Sequence, residues 1–404
     1  MFGAAETPAE AFAIPVEPVA VPFEPAFGVD RVDLEERQLA DAATAWLRGR
    51  IDRQRQDGVW RISFQGFAQA DRGLQALGAA LPGDLKALEI ELPSASSVSD
   101  VGLRSLAQGL DRLQCLTRFE LRCPMCEAIT DAAMKAIFRS LEALSSLLEI
   151  CLDISLCPQL TDETLNAVAS LLAHFGSLEA NARPSEDDET TLVPPGPCFR
   201  SVELVAHACR NFTDKALNRF GEAVALLKGV SSLSLSFAEP GPSVTSLGLT
   251  AILQCMEGMT GLEQFVLVLQ GCTELYESGL VILCAGLAEK TKLRHVVLNF
   301  HGCLGVTSAG LVMFSDVFKT AQDLFSVTLD VTSCDKVVDK GIEEFCTQLR
   351  HKKTLKRVLL RVGGTQVSQN ALPLLKKEMS SLESFQVSTA IRTSAFTGVS
   401  VTFK

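Results

Sequence analysis

No run of 18 apolar residues occurs in this chain of 404, so a membrane-spanning helix is not expected. Positive charge is scarce too: 37 Lys and Arg face 48 Asp and Glu, a formal net charge of −11. Sequence-independent nucleic-acid binding needs clustered cations to neutralise phosphates, so nucleic acids and anionic membranes are both poor partners. No basic residue precedes Arg31, and Glu6, Glu10, Glu17 and Glu24 occupy the stretch that a secretory or transit signal would keep positive or free of acids. The five histidines, His174, His207, His295, His301 and His351, include no His-Glu-x-x-His pair and none beside a nucleophile motif. Gly363-Gly364 lacks the remainder of a phosphate loop. With no triad, paired-carboxylate or dinucleotide signature, the expectation is a non-enzyme without cofactor or metal.

Cysteine is plentiful instead. An odd count of 13, with no secretory signal, points to reduced thiols in a cytoplasmic or nuclear setting. The chain is 47% hydrophobic with a mean hydropathy of +0.22, ample for a core. Its length alone would suggest two or three domains.

A 31-residue period argues for one continuous array. Ser99-Asp100, Thr130-Asp131 and Thr161-Asp162 are evenly spaced, and the frame returns at Thr213-Asp214, Tyr276-Glu277, Thr307-Ser308 and Val338-Asp339. Units align over 116–146, 147–177, 262–292, 293–323 and 324–354. Weaker copies lie over 85–115, 199–229, 230–261 and 355–384, a degenerate first copy starts near Val59, and a fragment starts at Leu382. Each unit opens with alternating apolar residues, such as Phe265, Leu267 and Leu269, the pattern of a half-buried strand. A Thr or Ser with an acidic neighbour follows. Thr caps a helix start and Asp in the first turn suits the helix dipole. Apolar residues at helical spacing come next, as in Leu165, Val168 and Leu171/Leu172. One strand and one helix per repeat, strands parallel, makes a curved α/β solenoid.

The string Leu-x-x-Leu-x-Leu-x-Leu-x-x-Cys-x-x-x-Thr-Asp resembles leucine-rich repeats. "CPQLTDETL", "CRNFTDKAL" and "CLGVTSAGL" are similar to the cysteine-containing, F-box-associated subclass, although 31 residues exceeds that subclass's usual unit. The resemblance covers about residues 59–387. It implies an α/β leucine-rich-repeat horseshoe of about ten strand–helix repeats, with parallel strands on the concave face and helices on the convex face. Fold does not set function. Three readings follow: a protein-interaction scaffold, a substrate-recognition subunit of a ubiquitin ligase, or a structural subunit of a larger assembly. The second would need a ligase-docking module, and residues 1–56 show only one candidate helix.

Residues 1–29 are Pro-rich and expected to be extended or disordered; the alternative is a docking peptide that lays Phe23 and Phe27 into a groove. Residues 30–58 read as a capping helix, with Trp46 covering the first repeat of the 59–389 solenoid. An acidic, Pro-rich insert at 178–197 breaks the register and is expected as an exposed loop, either a tolerated insertion or a segment for partner binding or phosphorylation around Ser185. Residues 390–404 form a tail or edge cap.

Cys126, Cys157, Cys209, Cys272, Cys303 and Cys334 hold one place in the repeat, so they are expected as a buried packing ladder. The Cys123–Cys126 pair lacks a second pair at zinc spacing. Outward strand positions are the better binding candidates. Glu89, Glu91, Glu120, Asp153 and Glu203 make the N-terminal part acidic, which favours a basic protein or peptide partner. Val205, His207, Val266, Val268, Gln270, Val297, Asn299 and His301 follow, and the valines read as an exposed apolar patch.

Overall fold

The computed structural model describes residues 58–65, 68–92, 98–182, 199–256 and 258–390, together with Ala45. Apart from Ala45, Gly58 and Ala390, the expected capping helix at 30–58, the Pro-rich segment 1–29 and the tail 390–404 lie outside the described residues. Eleven strands form one open, wholly parallel sheet in sequence order. The strands are β1 Val59–Ser63, β2 Ala87–Glu91, β3 Arg118–Arg122, β4 Glu149–Asp153, β5 Ser201–Val205, β6 Ser232–Ser236, β7 Gln264–Val268, β8 His295–Asn299, β9 Ser326–Asp330, β10 Arg357–Arg361 and β11 Ser384–Ser388. Between them run α1 Ala70–Ala80, α2 Asp100–Leu110, α3 Asp131–Glu142, α4 Asp162–Ala182, α5 Asp214–Ala225, α6 Ser246–Gln254, α7 Glu277–Ala288, α8 Ser308–Val317, α9 Asp339–Leu349 and α10 Ala371–Glu378. The fragment at Leu382 thus supplies an eleventh strand.

Each strand pairs with the next without a register slip: Phe119 opposes Leu88 on one side and Ile150 on the other. The second and fourth residues of every strand point toward the helices, and from β1 to β10 all of these are buried, from Trp60 and Ile62 to Val358 and Leu360. Strands stack about 4.8 Å apart but packed helices need about 8–10 Å. A sheet backed by one helix per strand therefore curves with its strands on the inner arc.

Past each strand the chain turns in the same way. From β1 to β10 the first residue after the strand is buried, as in Ile154, Phe237, Leu269 and Phe300. The third adopts positive φ in eight consecutive repeats: Met125, Leu156, Ala208, Glu239, Gly271, Gly302, Ser333 and Gly364. Only three of these are glycine. Left-handed backbone costs other residues about 1–2 kcal/mol, and here a lateral hydrogen bond offsets that cost: Leu156 N–H donates to His207 O (2.8 Å) and Ser333 N–H to Gly363 O (2.7 Å).

The fourth position is the cysteine ladder, and the structure gives it a second role besides packing. Each thiol donates to a carbonyl at the strand end of the preceding repeat: Cys157 to Cys123 O (3.1 Å), Cys209 to Ile154 O (3.3 Å), Cys272 to Phe237 O (3.3 Å), Cys303 to Leu269 O (2.9 Å) and Cys334 to Phe300 O (3.1 Å). Those carbonyls lie where strand pairing ends, and a buried carbonyl left alone is costly. Burial pushes the thiols of Cys209, Cys272 and Cys334 up to about 12, so they stay protonated donors.

The Thr/Asp marks form a further ladder. The hydroxyl caps its own helix, as when Ala132 N–H donates to Thr130 Oγ1 (3.2 Å). The carboxylate reaches the next repeat. Asp71, Asp100, Asp131, Asp162 and Asp214 accept from Ser99, Thr130, Thr161, Thr213 and Thr245 respectively. The backbone N–H donates to one oxygen at 2.7–2.9 Å, and the hydroxyl to the other at 2.5–2.7 Å. Asp131 also takes both the N–H and the hydroxyl of Thr164. Burial opposes ionisation of Asp131, but the bonds from Thr161 and Thr164 outweigh it and hold the carboxyl below its ordinary range.

The array runs unbroken past the insert. β4 pairs with β5 in register, and Asp162 and Cys209 bond across the same gap. The insert is shorter than the 178–197 read from the sequence, because α4 continues to Ala182. The helical pattern of repeat four runs on through Leu178, and loss of the repeat frame there did not mean loss of the helix. Residues 183–198 are outside the described set.

Candidate protein-binding face

The first, third and fifth residues of every strand point away from the helices and stand in three rows across the inner arc. In the N-terminal rows the expected acidity is real but largely paired. Arg61 Nε meets Glu89 Oε2 at 2.5 Å. Arg118 bridges Glu89, Glu120 and Glu149 at 3.5, 2.9 and 2.9 Å. Arg122 meets Glu120 at 2.6 Å and Glu203 at 3.5 Å. Desolvation works against the charge on Glu120, but Arg122 and Arg118 outweigh it and hold its carboxyl low. Over β1–β5, Glu89, Glu91, Glu120, Glu149, Asp153 and Glu203 face Arg61, Arg118 and Arg122, six carboxylates against three guanidiniums. The excess negative charge is half of what the carboxylates alone imply.

Arg61 and Arg118 were not singled out from the sequence. Extending the strand alternation one step back, to the first residue of each strand, would have found Arg118 and Glu149. Cys151, between Glu120 and Glu203 in the central row, is the one described cysteine on this face. Arg122 lies 3.2 Å from its sulfur, but burial and the flanking carboxylates push the thiol well up.

The central rows differ from the expectation. Val266, Val268 and Val297 are 8, 6 and 6% exposed and pack with Ala238 as a small cluster apart from the main core. They are a buried floor rather than an exposed patch. Val266 and Val297 are directly opposed across β7 and β8, and Val is suited to such a surface. Val205, opposite Asp153, is half-buried.

His207, Gln270 and His301 lie two residues beyond β5, β7 and β8, not within them, because every strand stops after five residues. They continue the outward row into the turn. Asp153 and Asn299 have a structural task at this place: Asp153 Oδ1 accepts from Ser155 N–H and Asn299 Oδ1 from His301 N–H, each at 3.0 Å. Asp330 does the same for Thr332. These are local Asx turns that bend the chain out of the sheet.

His207 Nε2 hydrogen-bonds Ser236 Oγ. Ser236 is buried at 4% exposure, and burial lowers the His207 pKa. A serine so enclosed offers a substrate carbonyl little approach. Among the described residues no group of three or more His, Cys, Asp or Glu is placed to hold a metal ion, and no helix is long and apolar enough to cross a membrane.

No family model matches the chain, and no curated protein matches it. Among solved structures it is similar to the leucine-rich repeat-containing protein LegL7 from Legionella pneumophila, at 13% identity over 80% of this chain and 98% of that one, with a TM-score of 0.39. It is also similar to the LRR protein LIC12759 of Leptospira interrogans, at 10% identity over 81% and 95%, with a TM-score of 0.27. At such scores the assignment rests on the chain's own geometry: eleven parallel strands alternating with helices in an open sheet, a leucine-rich-repeat solenoid.

Proposed function

We propose that this solenoid is a non-catalytic interaction scaffold that binds a protein or peptide through its inner, strand-lined face. The observation that carries this reading is the ordered row of charge over β1–β5. Arg61, Arg118 and Glu203 remain 67, 41 and 28% accessible at the side chain although paired. Such half-exposed, networked charges steer a partner and set its register more than they supply raw affinity. The surplus of carboxylates favours a basic partner segment. The valine floor contributes shape rather than contact area, because so little of it is accessible.

The test is charge reversal at accessible positions, Glu91→Lys with Glu203→Lys, in affinity capture from native lysate with quantitative mass spectrometry. A partner of this face should fall by roughly tenfold in recovery with the variant and should weaken for the parent protein as salt rises. Equal recovery of every captured protein by variant and parent would remove the inner face from consideration. Val266→Glu would be uninformative, since it places a charge in a buried cluster and disturbs the repeat itself.

A further inference from the structure

A second surface carries the opposite sign. The described helix-to-strand connections open on one edge of the array, and in repeats seven to ten that edge holds a groove lined by Glu263, Lys292, Arg294, Asp323, Phe325, Lys353, Thr354 and Lys356. The repeat explains the layout. Glu263, Arg294, Phe325 and Lys356 each immediately precede a strand, each following a buried leucine: Leu262, Leu293, Leu324 and Leu355. They form one row of rungs about 4.8 Å apart, and Lys292, Asp323 and Thr354 form a parallel row just before those leucines. In a chain of net charge −11 this groove carries four cations against two carboxylates.

Three of the four cations are not consumed by ion pairs within the fold. Lys356 pairs with Glu383 at 2.8 Å, but none of the ion pairs among the described residues engages Lys292, Arg294 or Lys353. Neighbouring groups are fixed: Lys352 Nζ donates to Lys319 O (2.7 Å) and Ala321 O (3.0 Å), and Thr354 Oγ1 donates to Gln322 O and Leu324 O. Phe325 sits midway between Arg294 and Lys356, with the Arg357 guanidinium 5.8 Å over its ring and the His295 ring edge-on at 5.5 Å. The His295 pKa is lowered first by burial and then by Arg294 and Arg357, in keeping with an electropositive edge.

We propose that this ledge binds an acidic, extended peptide segment of a partner protein. Carboxylates flank an apolar residue in that segment; they meet Arg294 and Lys356, and the apolar residue lies on Phe325. Arg294 and Lys356 are two rungs apart, about 10 Å, which is three steps of about 3.4 Å along an extended chain. Lys292 and Lys353 extend the positive field on the outer row. This surface is separate from the inner face, so its test is independent of the scaffold reading above.

The probe is a synthetic nonapeptide of Glu and Asp around one central Leu, titrated calorimetrically into the full chain at low salt. Its Gln/Asn isostere and inorganic phosphate serve as controls. The acidic peptide should bind, the isostere should bind at least about tenfold more weakly, and Arg294→Glu with Lys353→Glu should cost a similar factor while circular dichroism stays that of the parent. Phe325→Ala should weaken the peptide several-fold but leave phosphate unchanged. Equal binding of the isostere, or of the acidic peptide to the charge-reversed variant, would overturn the proposal, as would phosphate binding as well as the peptide. The chain's own Glu186, Asp187 and Asp188 fall in the sequence between α4 and β5. If Glu186→Gln, Asp187→Asn and Asp188→Asn together tighten peptide binding severalfold, those carboxylates compete for the ledge, and the assignment to a partner fails.

Discussion

At the junction of α3 and α4 one carboxylate, Asp131, takes hydrogen bonds from Thr161 and Thr164. At the junction of α6 and α7 the equivalent residues are Ser246 and Tyr276, and no side-chain bond among the described residues joins them. Glu277, one methylene longer than Asp, likewise makes no bond to Thr307. The ladder resumes only in part, with Val338 N–H donating to Ser308 Oγ (2.9 Å) and Ser368 N–H to Asp339 Oδ1 (2.5 Å). Cysteine bonding and strand pairing continue through both regions. The helices change with the ladder: α3 and α5 each carry four charged residues, whereas α6 carries none and α7 and α8 one each. In a solenoid each repeat is stabilised by its neighbours alone, so a missing rung weakens one interface without weakening the rest. The N-terminal repeats are coupled along both strand and helix edges, while repeats six to eight depend on the sheet and the apolar core.

The comparison can be broken most severely at Asp131. Asp131→Ala removes an ionised acceptor of four hydrogen bonds and should destabilise the protein by about 2–4 kcal/mol, read as a lowered urea midpoint. The same change at Asp339, which is bonded once by Ser368, should cost distinctly less; equal losses would show that the ladder is not what couples the repeats. Next in size is the reverse experiment. Ser246→Asp with Tyr276→Thr rebuilds a rung at the α6–α7 junction and should add about 1 kcal/mol, with slower amide exchange at the start of α7. No change in exchange there would place the weakness elsewhere. The smallest effect is with pH. Because the Asp131 pKa is depressed on folding, its contribution is complete above the ordinary carboxylate pKa of about 3.9 and is lost as pH falls through the lower folded value. The protection of α3 and α4 amides should therefore fall toward that of α7 on acidification, which hydrogen exchange at stepped pH would follow.

Much of this was legible in residues. Leu at a two-residue period, the Thr-Asp dipeptides and the regular cysteines specify strand, helix start and turn, because each of those elements needs particular side chains at particular steps. The candidate site was less so. Alternation placed Glu120 and Glu203 on the correct face, but nothing in the chain's order says that Arg118 bridges three carboxylates from three different strands. The valines were misjudged for a related reason: Val268 is outward by alternation, yet it is buried, since accessibility depends on what surrounds a residue and not on which way it points. The basic ledge had a visible trace, the "RHKKTLKR" run at 350–357, but its meaning depends on Lys292 and Arg294 arriving beside it from the preceding repeats.

The sequence by itself determined the unit and its length, since local propensity, capping and turn chemistry act over a few residues and recur every 31. Only the tertiary structure decided what the units do to one another. A carboxylate that reads as a helix-dipole partner became the clamp on the next repeat, a cysteine that reads as filler became a donor to the previous one, and eight turns hold left-handed residues with few glycines to announce them. Those bonds join residues about 30 apart, and stacking alone brings them within reach.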